Sequence, residues 1–156
     1  MGLLRASVAP LTLLASLSAC QPETGPAPET PERDPQIARS EAQRSELLSA
    51  RARPGDFRAN FGEPFIAFEN RGARMAISQP YEEPTYRVVD VVRETRGETI
   101  TFRGTSTAID PDGEFLLTIE PGDCVNEFSG ERTGFNAYLG SPAQPRRLRS
   151  CAAPAR

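Results

Sequence analysis

Residues 86–120, YRVVDVVRETRGETITFRGTSTAIDPDGEFLLTIE, decide the fold. Val88, Val89, Val91 and Val92 give way to Arg96-Gly97. The next β-type run covers residues 99–107. Period-two spacing over β-branched and aromatic residues is the signature of a half-buried strand. Asp110-Pro111-Asp112-Gly113 breaks the run, with Pro setting φ at the second turn position and Gly free to take positive φ. Residues 115–120 resume as a strand.

Outward from this stretch the same pattern repeats. Phe57, Ala59 and Phe61 alternate with polar residues, residues 65–68 form a denser apolar run, and Asn70-Arg71-Gly72 turns the chain into Arg74–Ser78. Residues 133–139 and 146–151 are the last two strands. About eight short strands with brief connections and no intervening helices leave no room for parallel crossovers. The expected fold is mostly β: a small antiparallel β-barrel or strongly curved sheet, since closure also removes sticky edges.

Before this domain the composition changes. Residues 20–35 are dominated by Pro, Glu, Thr and Ala, without a large apolar side chain. Such a segment cannot bury enough surface to offset its ordering entropy. It reads as a tether reaching up to about 45 Å at about 3.1 Å per residue. Asp34-Pro35 then offers a helix cap and a first helical position. Residues 36–55 are expected to form one short helical stalk, ended by Pro54-Gly55. Its apolar positions Ile37, Ala38, Leu47 and Leu48 make a thin stripe, which suits a solvated helix or one packed on the domain. The β domain occupies residues 56–156.

The chain carries 18 basic and 21 acidic residues, a formal net charge of −3. A mildly acidic protein has no electrostatic case for nucleic acid as a partner. Every basic residue is Arg, and there is no His. The commonest general base and the commonest zinc ligand are therefore missing.

Residues 1–19 combine one positive charge, Arg5, with a short apolar core and small residues before Cys20, the layout of a secretory signal peptide. The core is shorter than the roughly 20 residues a spanning helix needs. Leu17-Ser18-Ala19-Cys20 resembles the lipobox of bacterial lipoproteins, which implies cleavage before Cys20 and fatty acylation of that residue. A buried methylene contributes about 0.8 kcal/mol and one chain alone binds only marginally. The several chains implied here would hold the protein on the membrane permanently. Gln21, where lipoproteins kept in the inner membrane often carry Asp, implies an outer-membrane lipoprotein facing the periplasm.

With Cys20 lipidated, Cys124 and Cys151 remain as an even pair in an oxidising compartment. They are expected to form a disulfide, clamping the final strand onto the loop after Glu120. The closed loop of about 28 residues corresponds to about 3.5 kcal/mol in the chain-entropy estimate.

Gly62-Glu63-Pro64-Phe65, the segment from Leu117 to Cys124 with Ser129-Gly130 after it, and Ser150-Cys151-Ala152 resemble a family of uncharacterised bacterial envelope lipoproteins. Its members carry an EPFW-like start, a C-x-D-x-M-S-G segment and a closing G-C. The resemblance spans residues 56–152 and carries the cysteine pairing with it, but no activity. Ile66 stands for the usual Trp, Asn126 and Phe128 for Asp and Met, and Ser150 for Gly, so a binding role held by that Trp or Asp does not transfer. More distantly, the chain is similar to small β-barrel lipoproteins that inhibit lysozymes.

Candidate chemistry is sparse. Ser129 among Asp123, Glu127 and Glu131 could be imagined as a nucleophile, but without His it lacks the usual base. It reads better as a turn. Asp110, Asp112 and Glu114 alternate as carboxylates do in hard-cation loops, yet the rest of such a loop is missing, so no metal site and no cofactor are expected. Glu63 and Phe65 are the candidate binding residues, because an acid set between apolar residues either pairs with an Arg or stands at a pocket rim. Tyr81-Glu82-Glu83-Pro84 is loop-like and a candidate partner contact. The expected function is a non-catalytic binding module, inhibitor-like in one version, held on the membrane by its lipid and contacting an envelope protein. The alternative is a structural or assembly factor contacting peptidoglycan or membrane machinery.

Overall fold

The strand read in residues 99–107 becomes one stave of a closed wall, spanning Thr99–Thr105 with Ile100 and Phe102 on its buried face. A computed structural model describes residues 34–81, 85–107, 109–110 and 113–156. Residues 1–33, on which the expected signal peptide, the expected acylation of Cys20 and most of the expected tether fall, lie outside the described residues, as do Glu82, Glu83, Pro84, Ala108, Pro111 and Asp112.

Eight strands follow one another: β1 (Phe57–Asn60), β2 (Ala67–Arg71), β3 (Arg74–Ser78), β4 (Tyr86–Arg96), β5 (Thr99–Thr105), β6 (Glu114–Val125), β7 (Arg132–Gly140) and β8 (Leu148–Pro154). Each pairs antiparallel with the next, and β8 returns to β1 with Phe57 opposite Pro154 and Asn60 opposite Cys151. The barrel is thereby closed and the expected architecture is the one observed.

Register sets inward residues opposite one another. Ile100 faces Ile119, Phe102 faces Leu117 and Gly104 faces Phe115 across β5 and β6. These residues point inward, where Phe68, Phe102, Phe115, Met75, Ile77, Ile119 and Leu139 are fully buried. Side chains therefore fill the barrel interior, as in the smallest barrels of about eight strands. Gly104 belongs to that packing: a Cβ there would stand 2.7 Å from the Phe115 ring and 3.0 Å from Val91. Neither neighbour has room to retreat, so Gly104→Ala is expected to cost about 1–3 kcal/mol through overpacking. A urea titration reads this as a lower midpoint at unchanged slope.

The helix α1 (Pro35–Ser49) begins as expected, with the Asp34 carboxylate accepting the Gln36 N–H at 2.7 Å. It stops at Ser49, short of Pro54-Gly55, and the Ala50 carbonyl is taken by Arg71 Nε at 2.9 Å. Nor is it a stalk standing clear of the domain, since α1 lies against β3 and β4. Leu47 is buried and Arg44 stacks over the Tyr86 ring at 4.5 Å. The thin apolar stripe suffices because Leu47 and a cation–π contact do what a wider face would otherwise do.

One end of the barrel is closed by polar groups. Asp56, 2% exposed, accepts from Arg53 N at 2.8 Å, Asn70 Nδ2 at 2.9 Å and Gly72 N at 2.8 Å. Asn70 Oδ1 in turn accepts from Phe57 N, and the Asp56 carbonyl accepts from Ala155 N. Buried Arg71 donates to Ala50 O, Asn70 O and Arg156 O and pairs with Glu69 at 2.7 Å. The helix exit, the β2–β3 turn and the C-terminus meet in this one network, each buried polar atom satisfied as burial requires.

Candidate functional site

In an up-and-down barrel the turns after odd-numbered strands share one end, and the β6–β7 turn belongs to the other. Phe128, at the tip of the β6–β7 turn, nevertheless reaches Gly62 in the β1–β2 loop, so closely that a Cβ on Gly62 would stand 2.3 Å from its ring. The explanation lies in β6. Its register slips between Pro121 and Cys124, a bulge that bends the strand pair. Pro121-Gly122 had read as the start of a loop, but a bulge accommodates both residues inside a strand.

Past the bulge, residues 121–134 form an arm folded back over the outside of the wall. Phe57, Ala59 and Ala152 point into the core, so Arg58 and Cys151, which alternate with them, face outward. The arm meets both: Cys124 is bonded to Cys151, and Glu131 stands 3.7 Å from Arg58. The disulfide, Cα to Cα 5.5 Å, thus joins β6 to β8 across the back of β7 rather than clamping a loop.

Between the arm and the β1–β2 loop lies a cleft of about 480 Å³, lined by Phe61, Glu63, Phe65, Val125, Phe128 and the disulfide among others. Its apolar lining is unusually open to solvent, with Phe65 42% and Phe128 74% exposed. Tyr81, 80% exposed, stacks edge-on to Phe65 with centroids 5.6 Å apart. Phe65 also has φ of 58°. A bulky residue in that region is an outlier costing on the order of 1–3 kcal/mol, and such residues gather at functional sites. The strain is held by its neighbours, for Ile66 is buried in the core and its carbonyl accepts from Phe61 N at 2.8 Å.

Charge around the cleft is one-sided. Glu63, Asp123 and Glu127 line it, exposed, and among the described residues none of them is in an ion pair. Glu63 is thus a rim acid and not a buried partner of an Arg. The opposing charge is Arg149, whose guanidinium donates to Asn136 Oδ1 at 3.0 Å. Nearby on the outer wall Arg146 pairs with Glu120 and lies 4.2 Å from the Tyr138 ring. The hydrogen bond to Glu120 raises the Arg146 pKa above its ordinary value.

The structure brings Glu63 and Phe65 together in one cleft and joins Cys124 to Cys151. Ser129 is a turn residue: Asn126 Oδ1 accepts from Phe128 N and Ser129 N, and Ser129 Oγ accepts from Glu131 N at 3.3 Å. Of the alternating carboxylates, Glu114 pairs with Arg103 at 3.0 Å and Asp110 stands 3.9 Å from Arg147, while Asp112 lies outside the described residues. Among the described residues no group of three or more His, Cys, Asp or Glu is placed to hold a metal ion. No helix among them is long and apolar enough to cross a membrane. The sequence reading missed Phe128 and Val125, because only the folded-back arm brings them to Phe65. A Phe inside an otherwise polar turn was the available signal. No family model, curated protein or solved structure matches the chain.

Proposed function

We propose that the protein is a lipid-anchored binding module of the bacterial envelope, held through Cys20 on the outer membrane and facing the periplasm, which docks a protein partner at the aromatic cleft. One observation supports this above the others. Among the described residues five large apolar side chains are exposed to solvent; Phe65, Tyr81, Val125 and Phe128 gather at this cleft, and of the five only Val92 stands elsewhere. Clustered exposed apolar surface is the mark of an interaction site, whereas scattered single residues are not. The large side chains buried in the interior, Phe68, Phe102 and Phe115 among the described residues, argue in the same direction, since they occupy the space a lipid or small amphiphile would need. The anchor and its membrane rest on the lipobox-like segment and Gln21.

A photo-crosslinking amino acid at position 65 or 128 of the full chain in cells tests the reading. A discrete crosslinked envelope protein is expected from both positions and none from position 92 on the outer face of β4. Equal labelling from all three would remove the cleft's special status. Mass spectrometry of the mature N-terminus checks the anchor separately, since acyl mass on Cys20 is expected.

A further inference from the structure

We infer that the cleft receives a cationic side chain, an arginine or lysine presented by a protein partner, with its stem against Phe65 and Phe128 and its charge among Glu63, Asp123 and Glu127. This deepens the proposal above and rests on reading the cleft as a docking site. Two features of the lining select this occupant. The first is charge: three carboxylates line the cleft against a single guanidinium, Arg149, which is already engaged by Asn136. An anionic or neutral guest would leave those acids uncompensated, and like-charge juxtaposition is how an interface rejects a wrong partner.

The second feature is aromatic surface. Phe65 and Phe128 present solvent-open rings beside those carboxylates. A guanidinium or ammonium satisfies both at once, drawn electrostatically to ring faces and to carboxylates. An aliphatic guest would use the rings alone. The same combination already occurs inside this chain, where Arg146 lies over Tyr138 and pairs with Glu120. At the cleft the acids and rings are in place and the cation comes from outside.

Nuclear magnetic resonance titration of the full chain tests this with a short acetylated peptide carrying one Arg among Gly and Ser, against the same peptide with citrulline. The Arg peptide should shift the amides of Glu63, Phe65, Val125 and Phe128 and bind about tenfold more tightly than the citrulline peptide, as expected for a desolvated cation–π contact plus screened ion pairs. The triple variant Glu63→Gln, Asp123→Asn, Glu127→Gln should lose that preference while keeping its melting temperature, because all three side chains are exposed. Raising salt from about 50 to about 300 mM should weaken the Arg peptide alone, as the Debye length shortens. Equal binding of the two peptides at the cleft overturns the cation preference and leaves the docking site standing. Shifts confined to other walls, or none at all, overturn the preference as well. In that case the crosslinks at positions 65 and 128 decide whether the docking site falls with it.

Discussion

Asp56→Ala is expected to lower the unfolding free energy by about 4 kcal/mol. The substitution strands three donors that the carboxylate now satisfies, Arg53 N, Asn70 Nδ2 and Gly72 N, at a position 2% exposed. Leaving a buried donor unpaired costs about 1–3 kcal/mol, and water reaching the rim of the barrel recovers part of the sum. Asp56→Asn is the informative control. It keeps one acceptor but turns an amide N–H toward another donor, so a loss of about half that size is expected. Urea unfolding followed by circular dichroism measures both. An alanine variant within about 1 kcal/mol of the parent would mean that the network merely decorates a barrel held by its core.

Replacing Cys124 and Cys151 together by Ser should cost about 3.5 kcal/mol, the chain-entropy value for a loop whose ends are 27 residues apart. The more telling effect is local. The arm of residues 121–134 is held on the outer wall by the disulfide, the Glu131–Arg58 pair and the Phe128–Gly62 contact, and the last two are exposed and weak. Its amides should therefore lose hydrogen-exchange protection in the double variant while those of β5 keep theirs. Crosslinking from position 128 should drop with them. Retained protection in the arm would show that the bulge and the turn hold it without the sulfurs.

The strands were legible because each buries one face, so Ile100-x-Phe102 and Phe115-x-Leu117-x-Ile119 write their inward direction into the sequence. Closure was legible as a class, from strand count and the absence of helices between strands. Two things were not. The docking of α1 depends on Arg44 meeting Tyr86, a pair 42 positions apart in sequence whose members each look solvent-facing. The fold-back of the arm depends on a bulge at Pro121-Gly122, a dipeptide whose local chemistry is that of a turn. Half of the cleft could thus be read from Glu63 and Phe65. The other half, Val125 and Phe128, was invisible until the bulge set the arm's direction. The run of residues 65–68 likewise read as uniform strand, whereas Phe65 is held at positive φ and pairing starts at Ala67.

The seam between β1 and β8 has a consequence for biogenesis. Phe57 finds its neighbour only when Pro154 has been synthesised, so until β8 emerges the barrel carries open hydrogen-bonding borders, one of them on β1. Cys124 waits a further 27 residues for its mate. Contacts this distant along the chain assemble slowly, and exposed borders recruit other molecules. A nascent version, or one cut before β8, should therefore be a client of chaperones and proteases, and β8 acts as the latch that ends its vulnerability.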